Sequence, residues 1–232
     1  MGRQWIIGDI HGCIRTFREL VEEEIRPATS DTLFLLGDLI DRGPGSKAVI
    51  DYIRSLREHT CAVQSVLGNH EWMLLRSLAS EEIFFLWMRN KGFTTLRDFG
   101  IAAGQSPGPE LANRIPSSYL DFFKTLPLFL ETERFILVHA GLNPSSENPL
   151  EDAETLLWTR DEDYPEQLLR GRKLIHGHTP LPAQEIIRRT ADRHTRVINL
   201  DGGCVYPHIP GYGNLVAWEP GSGELKIVRN QE

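Results

Sequence analysis

Thr32-Leu33-Phe34-Leu35-Leu36-Gly37-Asp38-Leu39-Ile40-Asp41-Arg42-Gly43 decides how the rest of the chain is read. Thr32 to Leu36 is a continuous run with no polar alternation, the pattern of a strand covered on both faces. It stops abruptly at a glycine followed by a carboxylate. The same ending occurs upstream, where Trp5-Ile6-Ile7 runs into Gly8-Asp9, and downstream, where a strand over Cys61–Leu67 runs into Gly68-Asn69-His70. Between these strands the apolar spacing changes to that of helices: Phe17, Leu20, Val21 and Ile25 in the first interval, Val49, Ile50, Ile53 and Leu56 in the second. Pro27 to Asp31 reads as a loop. Pro44-Gly45-Ser46 reads as a turn, with Ser46 as the cap of the helix that follows.

The rhythm breaks after Trp72. Trp72 to Gly100 is rich in Leu, Phe, Trp and Met and reads as helical, Gln105 to Pro109 as a break, and Tyr119 to Leu126 as a further short helix. Residues 72–126 are therefore expected to be a helical insertion within a single domain spanning 1–232. The apolar cluster Ile83 to Met88 within it suits a buried helix better than a docking surface. Strands then resume: Phe135–Val138 ends at His139-Ala140-Gly141, Lys173–Ile175 at His176-Gly177-His178, and Val197–Leu200 at Asp201-Gly202-Gly203. Leu215–Trp218 and Glu224–Val228 flank Pro220-Gly221-Ser222-Gly223 as a terminal hairpin. Alternating strands and helices imply an α/β sandwich, and in such folds ligands sit beyond the carboxyl ends of the strands.

Bulk properties narrow the function class. A chain of 232 residues with a formal net charge of -7 can bury a sizeable core but repels a nucleic-acid backbone, so non-specific DNA or RNA binding is excluded. Cys13, Cys61 and Cys204 are dispersed and odd in number, which fits reduced thiols rather than a disulfide framework or a Cys-x-x-Cys zinc site. None lies in a Cys-x5-Arg phosphate loop, which argues against tyrosine-phosphatase chemistry, and Cys13, close to the first strand end, is read as a packing residue. The apolar run at Trp5–Ile7 is too short for a signal peptide or a membrane span, and Ile6 stands where a myristoylation signal needs Ser or Thr. A cytoplasmic location without membrane contact is expected. No heptad or interface stripe indicates an oligomeric state.

The strand ends supply a ligand set. Asp9 and His11, one residue apart on a loop, project to the same side; Asp38 offers two oxygens that can bridge two ions; Asn69, His139 and His178 come from three further strand ends. Mixed oxygen and nitrogen donors of this kind suit manganese, iron or zinc better than calcium. Taken singly, each is an ordinary turn, helix cap or buried histidine. Five coincidences at five strand ends are what the metal reading explains. Two metals about 3.5–4 Å apart can share a hydroxide and lower its pKa toward neutrality.

In order, Gly8-Asp9-Ile10-His11-Gly12, Gly37-Asp38-Leu39-Ile40-Asp41-Arg42-Gly43, Gly68-Asn69-His70-Glu71, His139-Ala140-Gly141 and Gly177-His178-Thr179 resemble the phosphoprotein-phosphatase branch of the calcineurin-like metallophosphoesterases. The likeness is strongest to small bacterial and phage members, through Trp87-Met88-Arg89-Asn90-Lys91-Gly92 and Leu157-Trp158-Thr159-Arg160, and covers nearly the whole chain. It implies two mixed β-sheets flanked by helices, with the helical insertion near the active site. It also implies that Asp9, His11 and Asp38 hold one metal and Asp38, Asn69, His139 and His178 the other. His70 becomes the general acid oriented by Asp41, with Arg42, Arg160 and Asn69 at the phosphate. Pro180 stands where many calcineurin-like enzymes carry a second histidine after the one matching His178, and that substitution fits the branch. His176 is a second-shell candidate. Tyr206, His208 and Tyr212 lie in a loop, 201–213, that is expected to shape the pocket together with 72–126. The resemblance implies a serine/threonine protein phosphatase first, a symmetrical bis(5'-nucleosyl)-tetraphosphate hydrolase as the alternative, and an inactive metal-stabilised binding module as a weaker one. His70, Asp41 and Arg42, all present, argue against the last.

Overall fold

The computed structural model describes residues 2–102 and 109–232. Its strands are β1 (Gln4–Ile7), β2 (Thr32–Leu35), β3 (Ala62–Ser65), β4 (Phe129–Glu131), β5 (Phe135–Val138), β6 (Lys173–His176), β7 (Val197–Asn199), β8 (Asn214–Glu219) and β9 (Glu224–Arg229). They form two mixed sheets, one ordered β3-β2-β1-β8-β9 and the other β4-β5-β6-β7. In the first, β1, β2 and β3 are parallel, with Trp5 beside Leu33 and Leu33 beside Val63, while the β8–β9 hairpin adds antiparallel strands against β1. In the second, β5, β6 and β7 are parallel and β4 is an antiparallel edge.

The unbroken apolar runs conceal a period of two. Trp5, Ile7, Leu33 and Leu35 pack on one side of the first sheet with Phe17, Ile50 and Ile53. Ile6, Phe34 and Leu36 point the other way and meet Phe135, Leu137, Ile175, Ile198 and Val216 between the sheets. Ile136, Val138 and Leu174 face outward from the second sheet onto Leu156 and Leu169. β1, β2, β5, β6 and β8 therefore bury both faces, and the layers run helices, sheet, sheet, helices.

The helices are α1 (Ile14–Glu19), which continues as a π-helical stretch over Leu20–Ile25, then α2 (Ser46–His59), α3 (Asn69–Ser77), α4 (Glu81–Arg89), α5 (Phe93–Asp98), α6 (Pro109–Arg114), α7 (Ser117–Lys124), α8 (Ala153–Trp158), α9 (Glu166–Leu169) and α10 (Ala183–Ala191). The segment 72–126 carries α3 to α7, apart from 103–108, which hold most of the expected Gln105–Pro109 break and lie outside the described residues. Met73, Phe84, Trp87, Leu96 and Phe123 from this segment join the same cluster as Trp5 and Leu33. Phe84 and Trp87 put one face of α4 in the core, while Phe85 is exposed.

Ser46 departs from expectation. It is the first residue of α2, behind Gly45 as N-cap, and makes no capping bond. Its hydroxyl instead accepts from the Asp41 N–H at 3.0 Å and meets the Thr95 hydroxyl at 2.8 Å, so it ties down the loop after β2.

Candidate active site

The ends of β1, β2, β3, β5 and β6 converge, bringing Asp38 against His139, His139 against Asn69 and Asp9 against His178. Asp9, His11, Asp38, Asn69, His70 and His139 are buried there, and His178 is half-buried. The connecting loops are strained. His11 (φ 47°), Asp38 (φ 47°), Asp41 (φ 69°), Arg42 (φ 67°) and His178 (φ 68°) all occupy the left-handed region. A non-glycine residue there costs about 1–2 kcal/mol. Such a cluster is characteristic of backbone shaped for function rather than for stability. Glycine makes the close approaches: a Cβ on Gly177 would lie 2.0 Å from Asp9 Oδ1, and one on Gly68 would lie 2.2 Å from the Asp38 nitrogen.

The lone pairs of the site point at one another. His139 Nδ1 donates to the Leu36 carbonyl at 2.8 Å, which leaves Nε2 an acceptor. That nitrogen faces Asn69 Oδ1 at 3.1 Å, His178 Nδ1 at 3.2 Å and Asp38 Oδ1 at 3.5 Å. Rotating the Asn69 amide would let its nitrogen donate to Asp38 and His139; with the oxygen inward, it faces only acceptors. His11 repeats the pattern, with Nδ1 bonded to the Ile40 carbonyl at 2.9 Å and Nε2 3.4 Å from Asp38 Oδ2. Two donor groups result, His11 with Asp38 and His70, and Asp38 with His139 and His178, each within 4.8 Å, and Asp38 belongs to both.

The electrostatics ask for positive charge. Burial, then the charges of Asp201 and Asp38, push the Asp9 carboxyl well above the usual range. Burial raises Asp201 to about 7; Asp38 adds to the rise and the Gly203 N–H opposes it. Burial holds His11 and His139 below the ordinary histidine value, and burial together with His139 takes His178 to about 3. Neutral imidazoles and crowded carboxylates are the form in which such side chains bind cations. The residues present therefore fit divalent ions.

His70 has a separate environment. Its Nδ1 lies 2.6 Å from Asp41 Oδ2, while Nε2 is buried, has no hydrogen-bond partner among the described residues and lies 3.9 Å from Asp38 Oδ2. Asp41 is held on both oxygens, by the Trp87 indole N–H at 2.6 Å and the Thr95 hydroxyl at 2.5 Å. Burial works against the charged imidazole, but Asp38 and Asp41 outweigh it and hold the His70 pKa above the ordinary value. Glu71, beside it, accepts four backbone N–H bonds, from Asp38, Leu39, Ile40 and Gly68, at 2.8–3.1 Å.

Arg42 is half-buried, with Nη1 2.6 Å from His11 Nε2 and its guanidinium 5.9 Å from the Tyr206 ring. Arg160 is exposed at the start of the loop after α8, and its charge is felt at both His178 and Asp201. His208 is exposed and Tyr212 half-buried. His176 turns toward Glu162, with Nε2 3.5 Å from Oε1 and Nδ1 on the Gly177 carbonyl. Asp9 accepts from the His178 N–H at 3.1 Å.

The sequence model described as calcineurin-like phosphoesterase matches residues 2–206. The chain belongs to the calcineurin-like phosphoesterases. Among curated proteins it is 34% identical over 144 residues to a symmetrical bis(5'-nucleosyl)-tetraphosphatase of Aromatoleum aromaticum, covering 60% of this chain and 44% of that protein. It is 32% identical over 167 residues to the protein of the same name from Klebsiella pneumoniae, covering 69% and 52%. The chain thus spans about half the length of the curated relatives it matches. Among solved structures, a candidate diadenosine tetraphosphatase superposes with a TM-score of 0.66 at 24% identity, covering 100% of this chain and 95% of that one. A protein serine/threonine phosphatase from Saccharomyces cerevisiae superposes with 0.63 at 16% identity, covering 100% and 81%. Both share the calcineurin-like fold. Among the described residues, no helix is long and apolar enough to cross a membrane.

Four residues near the site escaped sequence reasoning. Asp201 carried a signal, since it too follows a strand and precedes glycine. Glu71 stood inside a quoted motif with no role. Trp87 and Thr95 sit 46 and 54 residues from Asp41, and no local pattern announces their contact with it.

Proposed function

We propose that this calcineurin-like phosphoesterase is a two-metal hydrolase that cleaves dinucleoside polyphosphates symmetrically. The observation that carries the metal reading is that Asp38 belongs to two groups of donor atoms, one with His11 and His70 and one with His139 and His178, and that His11 and His139 each turn Nε2 toward it with Nδ1 held by a backbone carbonyl. Asp9, His11 and Asp38 would hold one ion and Asp38, Asn69, His139 and His178 the other, a mixed donor set that suits manganese, iron or zinc, of which manganese is the ion proposed. Bound there, the ions supply Lewis-acid charge and lower the pKa of water to the neutral range.

The chain's own residues do the rest. Arg42, Arg160 and Asn69 orient the phosphoryl oxygens and balance their charge. His70 holds a proton on Nε2, because Asp41 takes the Nδ1 side, and delivers it to the leaving oxygen. Trp87 and Thr95 fix Asp41 and so aim the imidazole. A binding module without activity would have no use for a buried histidine aimed into the site with one nitrogen free.

On substrate, the names of the curated relatives favour the tetraphosphatase over the protein phosphatase that sequence reasoning placed first. The test is turnover by protein stripped of metal and resupplied with manganese, offered diadenosine tetraphosphate and a phosphoserine peptide side by side. The expected result is a preference for the nucleotide of at least about tenfold in kcat/KM, about 1.4 kcal/mol of transition-state discrimination, with ADP as product. The reverse preference would assign a protein phosphatase.

A further inference from the structure

Next to the strand-end site lies a cleft of about 550 Å³ with a different lining. Trp72 and Arg76 of α3, Leu86 of α4, and Glu154 and Trp158 of α8 form its walls. Its volume falls in the range of small-molecule sites, roughly 300–1,000 Å³. Two chain connections bind it to the chemistry: Trp72 follows His70 by two residues, and Trp158 precedes Arg160 by two. The Trp72 and Trp158 rings meet edge to face with centroids 6.1 Å apart, and the Trp158 ring lies 6.3 Å from the His178 imidazole. The Arg76 guanidinium lies 5.6 Å from the Trp72 ring. Both tryptophans are only half-buried, in contrast to Trp87 in the core.

We propose that this cleft is the nucleobase subsite, where one purine ring of the substrate stacks on the face of one indole and meets the edge of the other while its phosphate chain reaches the metal centre. The proposal rests on the dinucleoside-polyphosphate reading above and adds the residues that recognise the base. The chemistry of the walls favours that occupant. A flat heteroaromatic ring gains from indole faces and from a guanidinium plane. Glu154 supplies an acceptor for an exocyclic amino group. A bare phosphate gains nothing from Leu86 and two indoles.

The test uses the metal-loaded protein and the variants Trp72→Ala, Trp158→Ala and Trp158→Phe. KM for diadenosine tetraphosphate and the inhibition constant of inorganic phosphate are measured for each. The alanine variants are expected to raise KM by about 5- to 150-fold, the loss of one stacked base, with the phosphate constant within about twofold of wild type. Trp158→Phe keeps an aromatic face and should recover most of the loss. An unchanged KM overturns the subsite. So does a parallel rise in both constants that phenylalanine does not rescue, since that marks damage to the whole site. If wild-type protein turns over the phosphopeptide and not the nucleotide, the functional reading itself falls and the subsite falls with it, a result recognisable without any variant.

Discussion

Glu71→Gln is a one-atom change whose effect the structure sizes. The Glu71 carboxylate accepts from Leu39 and Ile40 on Oε1 and from Asp38 and Gly68 on Oε2. It thereby shapes the loop between Asp38 and Asp41 and the start of α3. Glutamine replaces one oxygen with NH2, so whichever way the amide turns, two buried N–H groups face a donor. An unsatisfied buried donor costs about 1–3 kcal/mol, so two cost about 2–6 kcal/mol, a large share of the roughly 5–15 kcal/mol that holds a domain folded. Burial and the Asp38 charge push the Glu71 carboxyl up to about 8, so the measurement belongs above that, near about pH 9, where the carboxylate is ionised. Urea unfolding should show a lower midpoint with an unchanged slope. A variant within about 0.5 kcal/mol of wild type would refute the reasoning, because it would show that the four N–H groups do not depend on two acceptor oxygens.

Further outcomes follow from the same geometry. His70→Ala should lower turnover of substrates with a poor leaving oxygen by about 10²–10⁴-fold, the ordinary worth of a general acid, and lower turnover of p-nitrophenyl phosphate much less. Equal losses on both, measured as kcat, would remove the proton-donor role. Asp31 accepts from the Arg3 and Ala28 N–H groups and the Arg3 guanidinium. Burial alone would raise its carboxyl, but the Ala28 and Arg3 bonds outweigh it and the pKa is lowered. Its contribution is therefore present above the unfolded value of about 3.9 and lost as pH falls through the lowered folded value. Asp31→Asn should cost about 1–3 kcal/mol at neutral pH. The difference from wild type should shrink in urea melts below about pH 4.

Sequence reading went furthest where chemistry and backbone share a signal. Strands that end in Gly-Asp or Gly-Asn-His announced both the layer architecture and the converging side chains, because a parallel strand's carboxyl end is where the fold opens. It failed where the determinant is distant or short. β4 has three residues and α9 four, too few for a period to show. α10 buries one side chain, Ile186, so its apolar stripe is thin. Ser46 looked like a cap because its local context suits one, yet the hydroxyl is taken by Asp41 and Thr95, contacts that only the tertiary structure creates. The support of Asp41 by Trp87 has the same origin.

The central claim is that two divalent ions share Asp38, and the most direct measurement is calorimetric titration of metal-stripped protein with manganese, for wild type and Asp38→Ala. Wild type should bind two ions per chain. The variant should lose tight binding at both sites while its unfolding remains cooperative, because Asp38 belongs to both donor groups. A single ion in the wild type, or two ions retained by the folded variant, would contradict the shared-carboxylate centre.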